Sequence, residues 1–315
     1  LLNVTGADMR RISGTGNPRK HSRIWLKPLF TLALIAGFLS EANLLMLHGF
    51  SESTKQSSVI ECNSSYRTES TGSSSYILSK SCGVNSDLAA TFDEVYQKAY
   101  WGPITDNPKY YYSYGKDETK RGSASGHGSD VGCMSNNGLQ FLSEIVQKYN
   151  VTAVIDIPCG DTNWQFNSYE MDTLDLYLGL DVSSLIVKLN QRKYQHHTNK
   201  IFKFWDGSAC PFPQYFKVGE VPKQFDLIHS RDVLQHLNLD QAMKFIGHVK
   251  SSGARWFVST TYPRGHNRNI IAGSYYYNNL ALPPFSMQEP VICVKSHCKE
   301  SKEQDDTCLY DLHKA

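Results

Sequence analysis

Thr152-Ala-Val-Ile-Asp-Ile-Pro-Cys-Gly-Asp-Thr-Asn-Trp164 runs from apolar residues into an acid, Asp156, and then into a tight polar turn around Gly160. The largely apolar run over 152–157 predicts a strand buried on both faces, as in a parallel sheet covered by helices. A glycine turn at the end of such a strand lets backbone N–H groups approach a ligand, and the acid organises it. The pattern points to a cofactor with a nucleoside part, bound at the end of a parallel strand.

Outward from this stretch, strand and helix patterns alternate. Strands are predicted at Leu176–Val182, Lys200–Trp205, Phe225–His229 and Arg255–Thr260. Val291–Val294 and Cys308–Leu312 would close the sheet as a hairpin-like pair. Upstream, a helix carries Leu139, Leu142, Ile145, Val146 and Tyr149 on one face. Ser183 reads as the N-cap of a helix presenting Leu185, Ile186 and Leu189. Asn238 and Gln241 form a capping pair before Ala242, Phe245, Ile246 and Val249. The fold class is therefore α/β, doubly wound, with a mostly parallel sheet.

Ligands of such sheets bind at the carboxyl ends of the strands. Those ends carry Asp156, Pro158, Cys159, Gly160 and Asp161, then Asp181 and Val182, then Trp205 and Asp206. The fourth strand ends at His229-Ser230-Arg231-Asp232 and the fifth at Thr260-Thr261-Tyr262. Asp181 stands where a carboxylate accepts ribose hydroxyls, and Asp206 where it accepts an adenine amino group. A dinucleotide turn needs Gly-x-Gly-x-x-Gly opening a helix, for a pyrophosphate. This turn offers one glycine and an extra acid, Asp161, that repels phosphate. It suits S-adenosylmethionine, a sulfonium with an amino-acid tail.

The stretch resembles the first motif of class I S-adenosylmethionine-dependent methyltransferases. It is most similar to a branch with Asp-x-Pro-Cys-Gly-Asp-x-Asn-Trp at this place. The likeness extends to Gly122-Ser-Ala-Ser-Gly-His-Gly-Ser129, His229-Ser-Arg-Asp-Val-Leu-Gln-His-Leu237, Thr260-Thr-Tyr-Pro263, Asn267 and Asn279-Leu280. It covers roughly Trp101 to Leu312, and Pro158 and Thr162 stand where the broad superfamily has glycines. The resemblance implies a Rossmann-like, seven-stranded sheet, with Asp156, Gly160, Asp181 and Asp206 in contact with the cofactor. Trp164 and Trp205 would pack on the adenosine, or serve as core aromatics. Ser230 and Arg231 join the cofactor set, Arg231 also as an anion anchor. The loop Gly122–Asp130 would fold over the methionine end. Asp232, His236 and Tyr262 are the catalytic candidates near the transferred methyl, and Tyr275–Tyr277 would line the acceptor pocket. A rival expectation is a cofactor-binding or interaction domain that keeps the fold without turnover.

The chain has 315 residues, 40% of them hydrophobic and 20% charged, enough for one large domain with extensions. Its net charge of +2 and lack of a basic, aromatic-laced stripe speak against a nucleic-acid partner. The basic excess lies in a tail, 1–24. It precedes an apolar segment, 25–50, that reads as a signal-anchor or cleaved signal peptide, with a mitochondrial presequence as a third reading. A Ser-rich stem is expected over 51–90 and the catalytic domain over 91–315. A single membrane pass with a lumenal domain is expected, or secretion, or mitochondrial import. In an oxidising lumen the eight cysteines would pair. Cys293, His297, Cys298, Cys308 and His313 offer a zinc set as an alternative, although no resident metal is expected. Asn63 and Asn150 open glycosylation sequons.

Overall fold

The structure, a computed structural model, describes residues 76–78, 81–82, 87–102, 104, 122–218, 221–296 and 305–314. The basic tail, the apolar segment and Asn63 lie outside them. Among the described residues no helix is long and apolar enough to cross a membrane.

Seven strands form the main sheet: β1 (Ala153–Asp156), β2 (Leu176–Asp181), β3 (Lys200–Phe204), β4 (Leu227–Ser230), β5 (Trp256–Thr261), β6 (Ile292–Lys295) and β7 (Asp306–Asp311). Their order is β3-β2-β1-β4-β5-β7-β6. The first five run parallel, and β7 is antiparallel to both β5 and β6. The terminal pair thus closes the sheet as expected. Strand order reverses between β1 and β4, and the crevice at such a reversal is where open α/β sheets bind ligands.

Five helices are described: α1 (Asp87–Gln97), α2 (Cys133–Lys148), α3 (Tyr169–Asp172), α4 (Ser184–Lys193) and α5 (Leu239–Lys250). Alternation along β1 decides which face each residue serves. Ala153 and Ile155 join Phe245, Ile246 and Val249 of α5, with Leu88 and Phe92 of α1. Val154 joins Leu142, Ile145 and Val146 of α2 on the opposite face. The capping chemistry is as read: Ser183 Oγ accepts from Ile186 N, and Asn238 and Gln241 cap α5 reciprocally.

The stem boundary is corrected. Tyr76–Leu78 pairs antiparallel with Tyr215–Val218, which turns into Val221–Gln224, making a small second sheet. Cys82 is disulfide-bonded to Cys210, and α1 begins at Asp87 with Leu88 and Ala89 buried. Residues 76–78, 81–82 and 87–90 therefore belong to the folded domain, because α1 has an apolar face that composition over a wider Ser-rich window hides. A second disulfide joins Cys293 of β6 to Cys308 of β7. That bond removes two thiols from the zinc set, since a metal binds thiolate and not disulfide sulfur.

Candidate active site

The turn after β1 is held from three directions. Asn190 Nδ2 of α4 donates to Gly160 O at 2.6 Å, and Lys193 Nζ donates to Asp161 O and Thr162 O at 3.1 Å each. The Asp161 carboxylate accepts from Ser123 Oγ at 2.8 and 3.0 Å and from Ala124 N at 2.7 Å. Asp161 N donates to Ser125 Oγ at 2.9 Å, and Asn163 Nδ2 to Ser129 O at 3.1 Å. The Gly/Ser loop is thereby clamped onto the turn, and burial holds the Asp161 carboxyl above its ordinary range against the pull of those bonds. Gly160 has φ +56°, and a Cβ there would lie 2.4 Å from Ser125 Oγ. Only glycine fits this contact.

Over the β1–β4 reversal lies a cavity of about 760 Å³, within the usual size of a small-molecule site. The structure brings eleven of the sequence-assigned residues to its wall: Pro158, Cys159, Gly160, Trp164, Asp181, Val182, Trp205, Arg231, Asp232, His236 and Tyr262. Helix α1 adds Leu88, Phe92 and Tyr96, and the Gly/Ser loop adds Ser125, Gly126 and Gly128.

Four assigned residues are not on the wall. Asp156 is fully buried behind it, where its carboxylate accepts from Tyr177 Oη and Gln165 Nε2 and pairs with His229 Nδ1 at 2.7 Å. It is in register with His229 on the neighbouring strand, so the two side chains meet across the sheet. Asp206 Oδ1 accepts from Ser208 N, Ser208 Oγ and Ala209 N at 2.6 to 3.2 Å, capping the turn that carries Gly207 and Ser208 to the cavity. Asp161 holds the loop, and Ser230 is fully buried within β4. These four are engaged by their neighbours and do not line the cavity, for an acid ending a strand also has neighbouring amides to cap.

Of the acids at the ends of β1, β2 and β3, Asp181 is the one that reaches the cavity. Its two oxygens accept from Gly160 N at 3.1 Å and Ser183 N at 2.8 Å. Burial pushes its carboxyl up to about 7, against the lowering effect of those two amides. Next door, Asp93 of α1 accepts from Ser183 Oγ at 2.5 Å and Ser184 Oγ at 3.2 Å. Trp205 Nε1 donates to Cys210 O at 3.2 Å, fixing the indole against the wall.

The opposite side of the cavity is aromatic. His236 Nδ1 lies 2.9 Å from Ser274 O. A carbonyl only accepts, so Nδ1 carries the proton and Nε2 is left with a lone pair. Burial lowers the His236 pKa, which keeps the ring neutral. Its ring packs against Trp101 and Tyr275 at 5.4 and 5.5 Å. Tyr275 Oη donates to Tyr262 Oη at 2.7 Å, and burial with the nearby Asp232 charge raises the Tyr262 phenol, so it stays protonated.

Sequence reading missed α1, Trp101, Gln165, Tyr177, Asn190 and Lys193. Asn190 did leave a signal, as an amide on the buried side of an amphipathic helix.

No protein-family model and no curated protein matches the chain. Among solved structures, the chain is similar to magnesium protoporphyrin IX methyltransferase from Synechocystis PCC 6803 with bound SAH. That match is 13% identical, covers 70% of this chain and 94% of that one, and has a TM-score of 0.43. A S-adenosylmethionine-dependent methyltransferase from Clostridium acetobutylicum is 13% identical, with 56% and 91% covered and a TM-score of 0.38. The methyltransferase domain of a bacterial Hen1 is 10% identical, with 56% and 99% covered and a TM-score of 0.40. The functional reading of this chain rests on its own sheet and cavity.

Proposed function

We propose that the chain is a methyltransferase that binds S-adenosylmethionine in the cavity and methylates an acceptor seated against His236, Tyr262 and Tyr275. The observation that carries this reading is Asp181. It is a carboxylate at the end of β2 that clasps the Gly160 amide and faces a cavity of fitting size. The turn after β1 leads through residues 161–168 before the four-residue α3. No helix N-terminus follows Gly160 directly to receive a pyrophosphate, which disfavours a dinucleotide.

Bound S-adenosylmethionine supplies an electrophilic methyl group on sulfur. The protein's part is alignment and proton handling. Asp181 accepts the ribose hydroxyls, and Val182 and Trp205 pack the base. His236 Nε2 would take the proton that the acceptor atom gives up on being methylated, while the methyl–sulfur bond breaks and S-adenosylhomocysteine leaves. Tyr262, held by Tyr275, orients the acceptor. Replacing His236 by Gln is expected to slow turnover about 100-fold and to leave cofactor affinity within about twofold. Production of S-adenosylhomocysteine from cell-extract acceptors and calorimetry check the two halves.

The test of the cofactor reading is a pH series. A carboxyl raised to about 7 in the free protein must ionise to accept ribose hydroxyls. Affinity for S-adenosylmethionine should therefore rise about tenfold from pH 6 to pH 8. Asp181→Asn should bind weakly and without that slope. No binding at any pH would reject the reading, and binding without turnover would leave a cofactor-binding domain. For the free fold the sign is opposite. The folded state holds the Asp181 proton more tightly than the unfolded chain, so this group's stabilising contribution is lost as pH rises from about 4 to 7.

A lumenal setting behind an N-terminal membrane segment is part of the proposal. It is supported by the Cys82–Cys210 and Cys293–Cys308 disulfides, which persist in oxidising compartments. A glycan on Asn63 in cells would establish it, and cleavage with mitochondrial import would reject it.

A further inference from the structure

We propose that Arg231 is the receptor for a carboxylate group in the cavity. Its side chain is 5% exposed, and Nε, Nη1 and Nη2 all lack a hydrogen-bond partner among the described residues. A buried cation whose N–H groups lack hydrogen-bond acceptors is costly, so native structures almost always supply them. Here the nearest acid is Asp232, whose Oδ2 lies 3.6 Å from Nε, an electrostatic contact beyond hydrogen-bond range. The guanidinium also lies over the Trp164 ring, with Cζ 5.3 Å from its centroid, within cation–π range.

Two glycines leave the space around it open. A Cβ on Gly138 of α2 would stand 4.0 Å from Arg231 Cζ. One on Gly128 would stand 3.6 Å from Nη2 and 3.3 Å from Asp232 Oδ2. Both Gly128 and Arg231 line the cavity, so the buried guanidinium belongs to a residue of its wall. A fixed planar fork of N–H donors matches the two oxygens of a carboxylate. A phosphate dianion fits less well, since Asp232 and Asp305 both act electrostatically on this cluster.

Two carboxylates can reach this position, and both presuppose the cavity described above: the tail of S-adenosylmethionine and a group on the acceptor. Calorimetry on the 315-residue chain separates them. S-adenosylmethionine, 5′-methylthioadenosine (which lacks the tail) and acetate are titrated into wild type, Arg231→Lys and Arg231→Gln. If the carboxylate is the cofactor's, Arg231→Gln weakens S-adenosylmethionine at least about 30-fold and methylthioadenosine less than about twofold. If it is the acceptor's, both nucleosides bind unchanged, and acetate binding to the nucleoside-loaded wild type is lost in Arg231→Gln. Arg231→Lys keeps the charge without the fork and should recover only part of the loss. Should neither nucleoside bind but acetate still depend on Arg231, the cofactor reading fails and the carboxylate site stands. Equal binding of all three probes by all three proteins overturns it, provided thermal melts show the variants folded.

Discussion

Asp156→Ala is expected to lower the stability of the domain by about 3–5 kcal/mol, since it leaves at least two buried hydrogen-bonding groups without a partner at about 1–3 kcal/mol each. The carboxylate is fully buried and takes hydrogen bonds from Tyr177, Gln165 and His229. Alanine leaves the Tyr177 hydroxyl and the His229 ring nitrogen facing each other across a void, each without its acceptor. Urea denaturation should show the loss as a lowered midpoint in the absence of any ligand. An acid that merely touched the cofactor would behave differently. Its removal would weaken binding and leave the unliganded midpoint where it was. That second outcome would return Asp156 to the cavity wall and contradict the placement described above.

Gly160→Ala is expected to weaken S-adenosylmethionine binding about 100-fold or more. Two costs add. The residue has φ +56°, where a side chain costs about 1–2 kcal/mol. Its Cβ would also stand 2.4 and 2.9 Å from Ser125 Oγ and Cβ. Ser125 must retreat, and with it the bond to Asp161 N and the loop over the turn. The loss of one or two hydrogen bonds at about 1 kcal/mol each brings the sum near the 2.7 kcal/mol that 100-fold represents. The double variant Gly160→Ala with Ser125→Gly removes the collision while keeping the strain. Calorimetry should find it intermediate. A double variant as weak as the single one would show that the collision with Ser125 is not the cause.

The main sheet was legible because burial on both faces writes continuous apolar runs, and because caps such as Ser183 and the Asn238–Gln241 pair have local chemical signatures. Strand ends moved by one or two residues, as at Leu227–Ser230 against the expected Phe225–His229. The cavity wall was legible in part for the same reason, since a strand's carboxyl end is a sequence position. What a side chain does there was not. Asp156, Asp181 and Asp206 look alike in sequence, yet one is enclosed behind the wall, one faces the cavity and one caps a turn. The difference lies in Tyr177, His229 and Ser208, partners supplied by other strands or by the fold of the turn. Helix α1 escaped notice because its Ser- and Gly-rich approach dominates the local composition, while its apolar face has meaning only against other parts of the chain, such as Ala124, Ile186 and Leu189.

The disulfide from Cys82 to Cys210 sets the smallest unit that can be separated from the rest of the chain. Cys210 ends the turn that carries Gly207 and Ser208 to the cavity, and its carbonyl holds Trp205. Cutting where composition changes, at residue 91, would discard Leu88 with the first turn of α1. It would also strip the partner from a buried thiol beside the indole. The portable module therefore starts ahead of Tyr76, and the end of the segment that looks like a tether carries Leu88 to the cavity wall.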